Sequence, residues 1–120
     1  MTQTSVAFAG MSLKCSDELL DDCVIVTLAG VVDLSTVAAL RDHLLRVVSE
    51  RPGGTVVIDL DEVVAVDDAG LGILLGLAGR AREHGGDLRL VCAPGRLRDR
   101  LALTGADRAV AVSSNWASTD

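Results

Sequence analysis

Tyrosine is absent from these 120 residues, and one phenylalanine and one tryptophan are the only other aromatic side chains. That removes the rings on which unpaired bases would stack, and a formal charge of −6 leaves no basic face for a phosphate backbone. We expect no nucleic-acid partner. Long apolar runs are missing too. The uncharged stretch Ala69 to Gly79 is too short to cross a membrane and reads as a buried helix. The opening MTQTSVAFAGMSL has no basic start and no long apolar core, so it does not read as a secretory signal. The expected location is the cytoplasm, without membrane insertion. Cysteine is scarce: Cys15, Cys23 and Cys92 form neither a CxxC nor a paired framework. Reduced, passive thiols are the favoured reading. The sharper one is a redox pair, in which Cys15 and Cys23 flank a hairpin loop, SDELLDD, and paired strands bring them within reach of a disulfide. A reducing cytoplasm argues against a permanent bridge. His43 and His84 lie in charged helical contexts far apart in the chain, so no metal site and no cofactor are expected.

What is present is a core. About half the residues, 49%, are apolar, enough for one globular domain over 1–120, with its core at about 8–114 and a polar tail, SSNWASTD, carrying Trp116. VIVTLAG (24–30) alternates Val24, Val26 and Leu28 against Ile25 and Thr27, so it reads as a strand. Something strand-like near Phe8 to Cys15 should pair with it. Val37, Leu40, Leu44, Val47 and Val48 recur at helical spacing. Ser35 or Thr36 can cap that helix, and Pro52-Gly53-Gly54 stops it. TVVIDL (55–60) suits a central strand covered on both faces. A second helix runs from about Ala69 to His84, followed by the strand DLRLVCA (87–93), a short helix (94–105) and the strand AVAVSS (109–114). The order β-β-α-β-α-β-α-β predicts an α/β fold: a mixed, mostly parallel sheet with helices on at least one face.

Three segments give the chain a family resemblance. LAGVVDLSTVAALR (28–41) resembles an L-x-G-x-x-D entry into a first helix. VVIDLDEVVAVDDAGLGILLG (56–76) resembles a strand, a short turn and a D-S-S-G-L-G-x-L helix start. LALTGADRAVAV (101–112) resembles a closing helix with a T-G-x-D-R turn. Together they are similar to the STAS domain of bacterial anti-sigma-factor antagonists, over roughly residues 8–114. The resemblance implies a binding protein rather than an enzyme. Its partner would be an anti-sigma factor, often a serine kinase, and its effect the release of a sigma factor. In such proteins the kinase phosphorylates the serine before the first glycine. Here Asp67 matches the family aspartate, Asp68 falls on the first serine, and Ala69 stands at the phosphoacceptor. Gly70, Leu71 and Gly72 match directly, and Asp33 matches the acidic residue after the second strand. Ala69 has no hydroxyl, so phosphorylation at that position is impossible.

The same residues have a reading of their own. A helix start leaves about four N–H groups unpaired, and Asp67 or Asp68 can cap them. Two adjacent carboxylates plus Asp33 exceed what capping needs and would repel a phosphate. Gly70, Gly72, Gly76 and Gly79 lower helix stability. We expect them to divide by helix face between close packing on the sheet and a flat surface that lets a partner approach. Neighbouring aspartates at a helix start are poor candidates for an acid–base pair, and no nucleophile–histidine arrangement is visible. Two regulatory readings follow. Either Ala69 keeps the surface in the unmodified, binding state, or Asp68 supplies a fixed charge that mimics the phosphorylated one. The first is favoured, because Asp68 stands one residue from the acceptor position. A competing class is a STAS interaction or ligand-binding module of a transport or other signalling complex, since STAS-like domains also occur in sulfate transporters and lipid-transport assemblies.

Overall fold

The computed structural model describes residues 3–7, 13–21 and 23–114. Its strands are β1 (Gln3–Ala7), β2 (Leu13–Leu20), β3 (Cys23–Val32), β4 (Thr55–Val66), β5 (Asp87–Val91) and β6 (Ala111–Ser113). Its helices are α1 (Val37–Glu50), α2 (Asp68–Glu83), α3 (Arg96–Leu103) and α4 (Ala106–Ala109). The strands lie in one sheet in chain order, β1 to β6. Pairing is antiparallel from β1 to β3 and parallel from β3 to β6. The mixed sheet and the alternating order match the sequence reading, with β1 and α4 as additional elements. Right-handed crossovers that always step in one direction place every helix on the same face.

That face carries the core. Val24, Val26 and Leu28 of β3 line up with Val56 and Ile58 of β4 and with Leu88 and Leu90 of β5. Leu40, Leu44, Val47 and Val48 of α1 close over them, with Leu71, Leu74, Leu77 and Ala78 of α2. Helices therefore cover β4 on one face only, not on both. Val57 and Val91 on the opposite face are nonetheless buried, at 7% and 2% exposure.

Two regions depart from the sequence reading. The strand expected near Phe8 to Cys15 begins at Leu13 and continues to Leu20; residues 8–12 lie outside the described part, as does Trp116. Ser16 to Leu20, read as loop, are paired with β3, and the hairpin turns between Leu20 and Cys23, where Asp21 takes a φ of 55°. A tight two-residue turn of this kind needs positive φ, which aspartate tolerates. The second departure is β4, which runs on to Val66. Two register shifts against β3, at Thr27/Ala29 and Gly30/Val31, each give β4 an extra residue. Each extra residue switches which parity faces inward. Inward positions accordingly run Leu60, Val63, Val66, while Val64 is 82% exposed. Gly30 sits at the second shift with φ 117°, a conformation that favours glycine.

Candidate functional site

At their C-terminal ends β3 and β4 finish side by side, Val32 opposite Val66. The Asp67 N–H donates to the Val32 carbonyl at 3.0 Å, so the turns that follow leave the sheet together. Asp33 opens one turn and Asp67 the other. The topology thus brings the sequence-predicted residues Asp33 and Asp67–Gly72 to one end of the sheet.

Each carboxylate has a distinct local task. The Ser35 N–H and hydroxyl donate to Asp33 Oδ1 at 2.9 and 2.6 Å. Those bonds hold the Asp33 carboxyl below its usual range. The expected Ser35 or Thr36 cap is not made: Thr36 is the N-cap residue of α1 but forms no side-chain cap bond. Its hydroxyl is turned back toward β3, donating to the Val31 carbonyl at 2.9 Å and accepting from Asp33 N–H at 3.0 Å. Asp67 caps α2, accepting from Gly70 N–H at 2.9 Å. Of the two candidate caps it has the extended backbone (φ −89°, ψ 178°) that a cap requires. Asp68, its side chain 97% exposed, meets Arg100 Nη2 of α3 at 2.8 Å.

The glycines divide by face. A Cβ on Gly70 would stand 2.5 Å from Val32 Cγ1 and 3.0 Å from Val66 Cγ1, so glycine here lets α2 lie against both strand ends. Leu71 is buried beside it. On the outer face Ala69, Gly72 and Gly76 are exposed, and a Cβ on either glycine would meet nothing within 4 Å. Leu34, next to Asp33, is 79% exposed. The result is an open surface of low relief at the start of α2, bordered by carboxylates and an exposed leucine. Sequence reasoning missed Leu34 and Arg100. Leu34 carried a signal, an apolar residue between Asp33 and Ser35 and outside the α1 stripe.

The cysteines do not form the proposed pair. Cys15 faces Leu28 across the hairpin, whereas Cys23, five positions before Leu28 on β3, faces Leu20. All three thiols are free. Burial pushes Cys15 up to about 12, with the Asp17 charge adding to it, and burial also raises Cys92. The histidine reading changes as well. His43 is buried at 5% exposure, with Nε2 2.9 Å from Oδ1 and 2.8 Å from Oδ2 of Asp17. Near the sheet end, a shallow cleft of about 260 Å³ is lined by Asp61, Val63, Val64, Cys92 and Leu97 among others.

Residues 15–112 match the family model described as Mlab, STAS domain. The chain belongs to the STAS family. Among solved structures, this STAS domain is similar to an anti-sigma factor antagonist from Mycobacterium paratuberculosis. The TM-score is 0.80 at 26% identity, over 88% of this chain and 89% of that one. It also resembles the anti-sigma factor antagonist SpoIIAA of Bacillus in its unphosphorylated form, with TM-score 0.68 and 17% identity over 84% of this chain and 89% of that one. The murine anion transporter Slc26a9 shares the fold, with TM-score 0.66 and 17% identity over 79% of this chain and 16% of the transporter. No helix among the described residues is long and apolar enough to cross a membrane.

Proposed function

We propose that this STAS domain is an anti-sigma-factor antagonist: it binds an anti-sigma factor, of the serine-kinase type, in the cytoplasm and so frees a sigma factor. The reading assigns the chain no catalytic chemistry, no cofactor and no nucleic-acid partner. The binding surface is the β3–α1 turn at Asp33 together with the start of α2, Asp67 to Gly72. One observation carries this: Ala69 and Gly72 are exposed on a face of α2 where no atom stands within 4 Å of a Cβ built at Gly72, while Gly70 and Leu71 on the other face anchor the helix. A partner backbone can approach such a surface closely. The likeness to the mycobacterial antagonist supports the choice of partner class.

The surface stays permanently in its binding state. Ala69 offers no hydroxyl to a kinase and no charge to a partner. Asp68 does not imitate a phosphate at that place, because its carboxylate is drawn toward Arg100 on α3 at 2.8 Å. The test is binding to an anti-sigma kinase with and without ATP. The complex should persist in both, and mass spectrometry should find residues 67–72 unmodified. Loss of binding with ATP, accompanied by phosphate on Ser35 or another hydroxyl, would overturn permanent activity.

A second reading is a module of a transport complex. The Mlab description of the matching family model favours it. Co-purification with transport-complex subunits, and with no anti-sigma factor, would decide for it.

A further inference from the structure

A second cluster of reactive side chains lies away from the α2 surface, and the antagonist role does not use it. Cys15 and Asp17 are two positions apart on β2, so both point to the same sheet face. His43 comes from the buried stripe of α1, flanked by Leu40, Leu44 and Val47. One ligand atom from each of the three lies within 4.8 Å of the others. Cys15 is fully buried, and the side chains of His43 and Asp17 are 6% and 18% exposed.

We propose that Cys15, Asp17 and His43 bind a divalent transition metal of the zinc type, with a water molecule as the fourth ligand. The donor set selects the metal. Thiolate and imidazole suit zinc and its neighbours, whereas magnesium and calcium require oxygen donors. The spacing also fits. Around a tetrahedral zinc with bonds of about 2.0–2.3 Å, donor atoms stand about 3.4–3.6 Å apart. Reaching that from 4.8 Å takes small side-chain rotations on two otherwise fixed elements. The Asp17–His43 contact opens slightly as the metal enters between them. The Cys15 thiol releases its proton to solvent as the Sγ–metal bond forms. Water reaches the fourth position past Asp17, the most exposed of the three. The ion would fasten the β2–β3 hairpin to α1 and stabilise the fold in proportion to metal occupancy.

The test uses the full chain, untagged, reduced and stripped with a chelator, titrated with Co²⁺ and then Zn²⁺. One equivalent of Co²⁺ should give the visible bands of a tetrahedral site and a thiolate-to-cobalt band in the near ultraviolet. Zn²⁺ should displace it and raise Tm. Cys15→Ser should abolish the near-ultraviolet band and weaken binding at least about 100-fold, more than loss of an outer-shell partner usually does. Cys23→Ser, Cys92→Ser and His84→Ala should leave the spectrum unchanged. Should Cys15→Ser fail to fold, Asp17→Asn serves instead, since an amide can still hydrogen-bond His43 but ligates a metal weakly. A near-ultraviolet band that survives Cys15→Ser, full affinity in folded Asp17→Asn, or no such band in the unmutated protein would each overturn the assignment.

Discussion

Gly70→Ala and Gly72→Ala are the same chemical change two residues apart, and their effects on stability should have opposite sign. At Gly70 the new methyl would stand 2.5 Å from Val32 Cγ1 and 3.0 Å from Val66 Cγ1. Neither valine can easily give way: both are β-branched, sit in paired strands and are 0% and 4% exposed. Helix α2 must instead lift from the sheet end. Overpacking of this kind costs about 1–3 kcal/mol. Alanine returns at most about 1 kcal/mol through its better helix propensity. With that return in full, the net is a loss of up to about 2 kcal/mol, the difference of those two figures. At Gly72 no atom lies within 4 Å of the methyl, so only the helix gain remains, about 0.5–1 kcal/mol of added stability. Urea titration followed by circular dichroism would read both as shifts of the midpoint at constant slope. Gly70→Ala should move it down and Gly72→Ala up. Equal stabilisation by the two would refute the packing of α2 on Val32 and Val66.

Three further outcomes follow from the same geometry. Asp67→Ala, which deletes the α2 cap, should cost about 1 kcal/mol, whereas Arg100→Ala, which deletes an exposed ion pair, should cost less than about 0.5 kcal/mol by thermal melts. Alkylation of the native protein should reach Cys23 well before the buried Cys15 and Cys92, and peptide maps of oxidised protein should contain no Cys15–Cys23 bridge. Asp59 sits partly buried, its carboxyl raised above 3.8 by desolvation, with Asp61 and Glu62 adding to it. A raised carboxylate binds its proton more tightly when folded, so it opposes stability above its folded pKa and ceases to do so as pH falls below 3.8. Asp59→Asn should therefore be more stable than the unmutated protein at neutral pH, with the gain vanishing in acid; a gain independent of pH would contradict this.

The sequence made the helical side of the fold readable because its signals are local. Leu40, Leu44, Val47 and Val48 mark the buried stripe of α1 by spacing alone, and all four are buried. Asp67 before a glycine-rich run marks a helix start, and it is the α2 cap. Strand register is a non-local property and was not readable. Which residue faces Cys15 depends on where the hairpin turns, and Asp21 with φ 55° places that turn at the very end of the expected loop. The extension of β4 was hidden because two extra residues break its alternation. The approach of His43 to Asp17 could have been suspected, since His43 falls within the apolar stripe of α1, but its partner strand could not be named without the register.

Permanent readiness of the α2 surface for an anti-sigma factor is tested most directly by the affinity of Ala69→Glu for that partner, measured by titration calorimetry with circular dichroism as the folding control. Ala69 is exposed in the free protein, and the fold should tolerate an acidic residue in the first turn of a helix. Once covered by a partner, the new carboxylate would be desolvated beside Asp33, Asp67 and Asp68. Burying an unpaired charge costs several kcal/mol, and about 4 kcal/mol is nearly a thousandfold in affinity. Ala69→Ser, by contrast, should bind as the unmutated protein does. A near-thousandfold loss for folded Ala69→Glu is the predicted result; unchanged affinity would mean that the partner binds elsewhere.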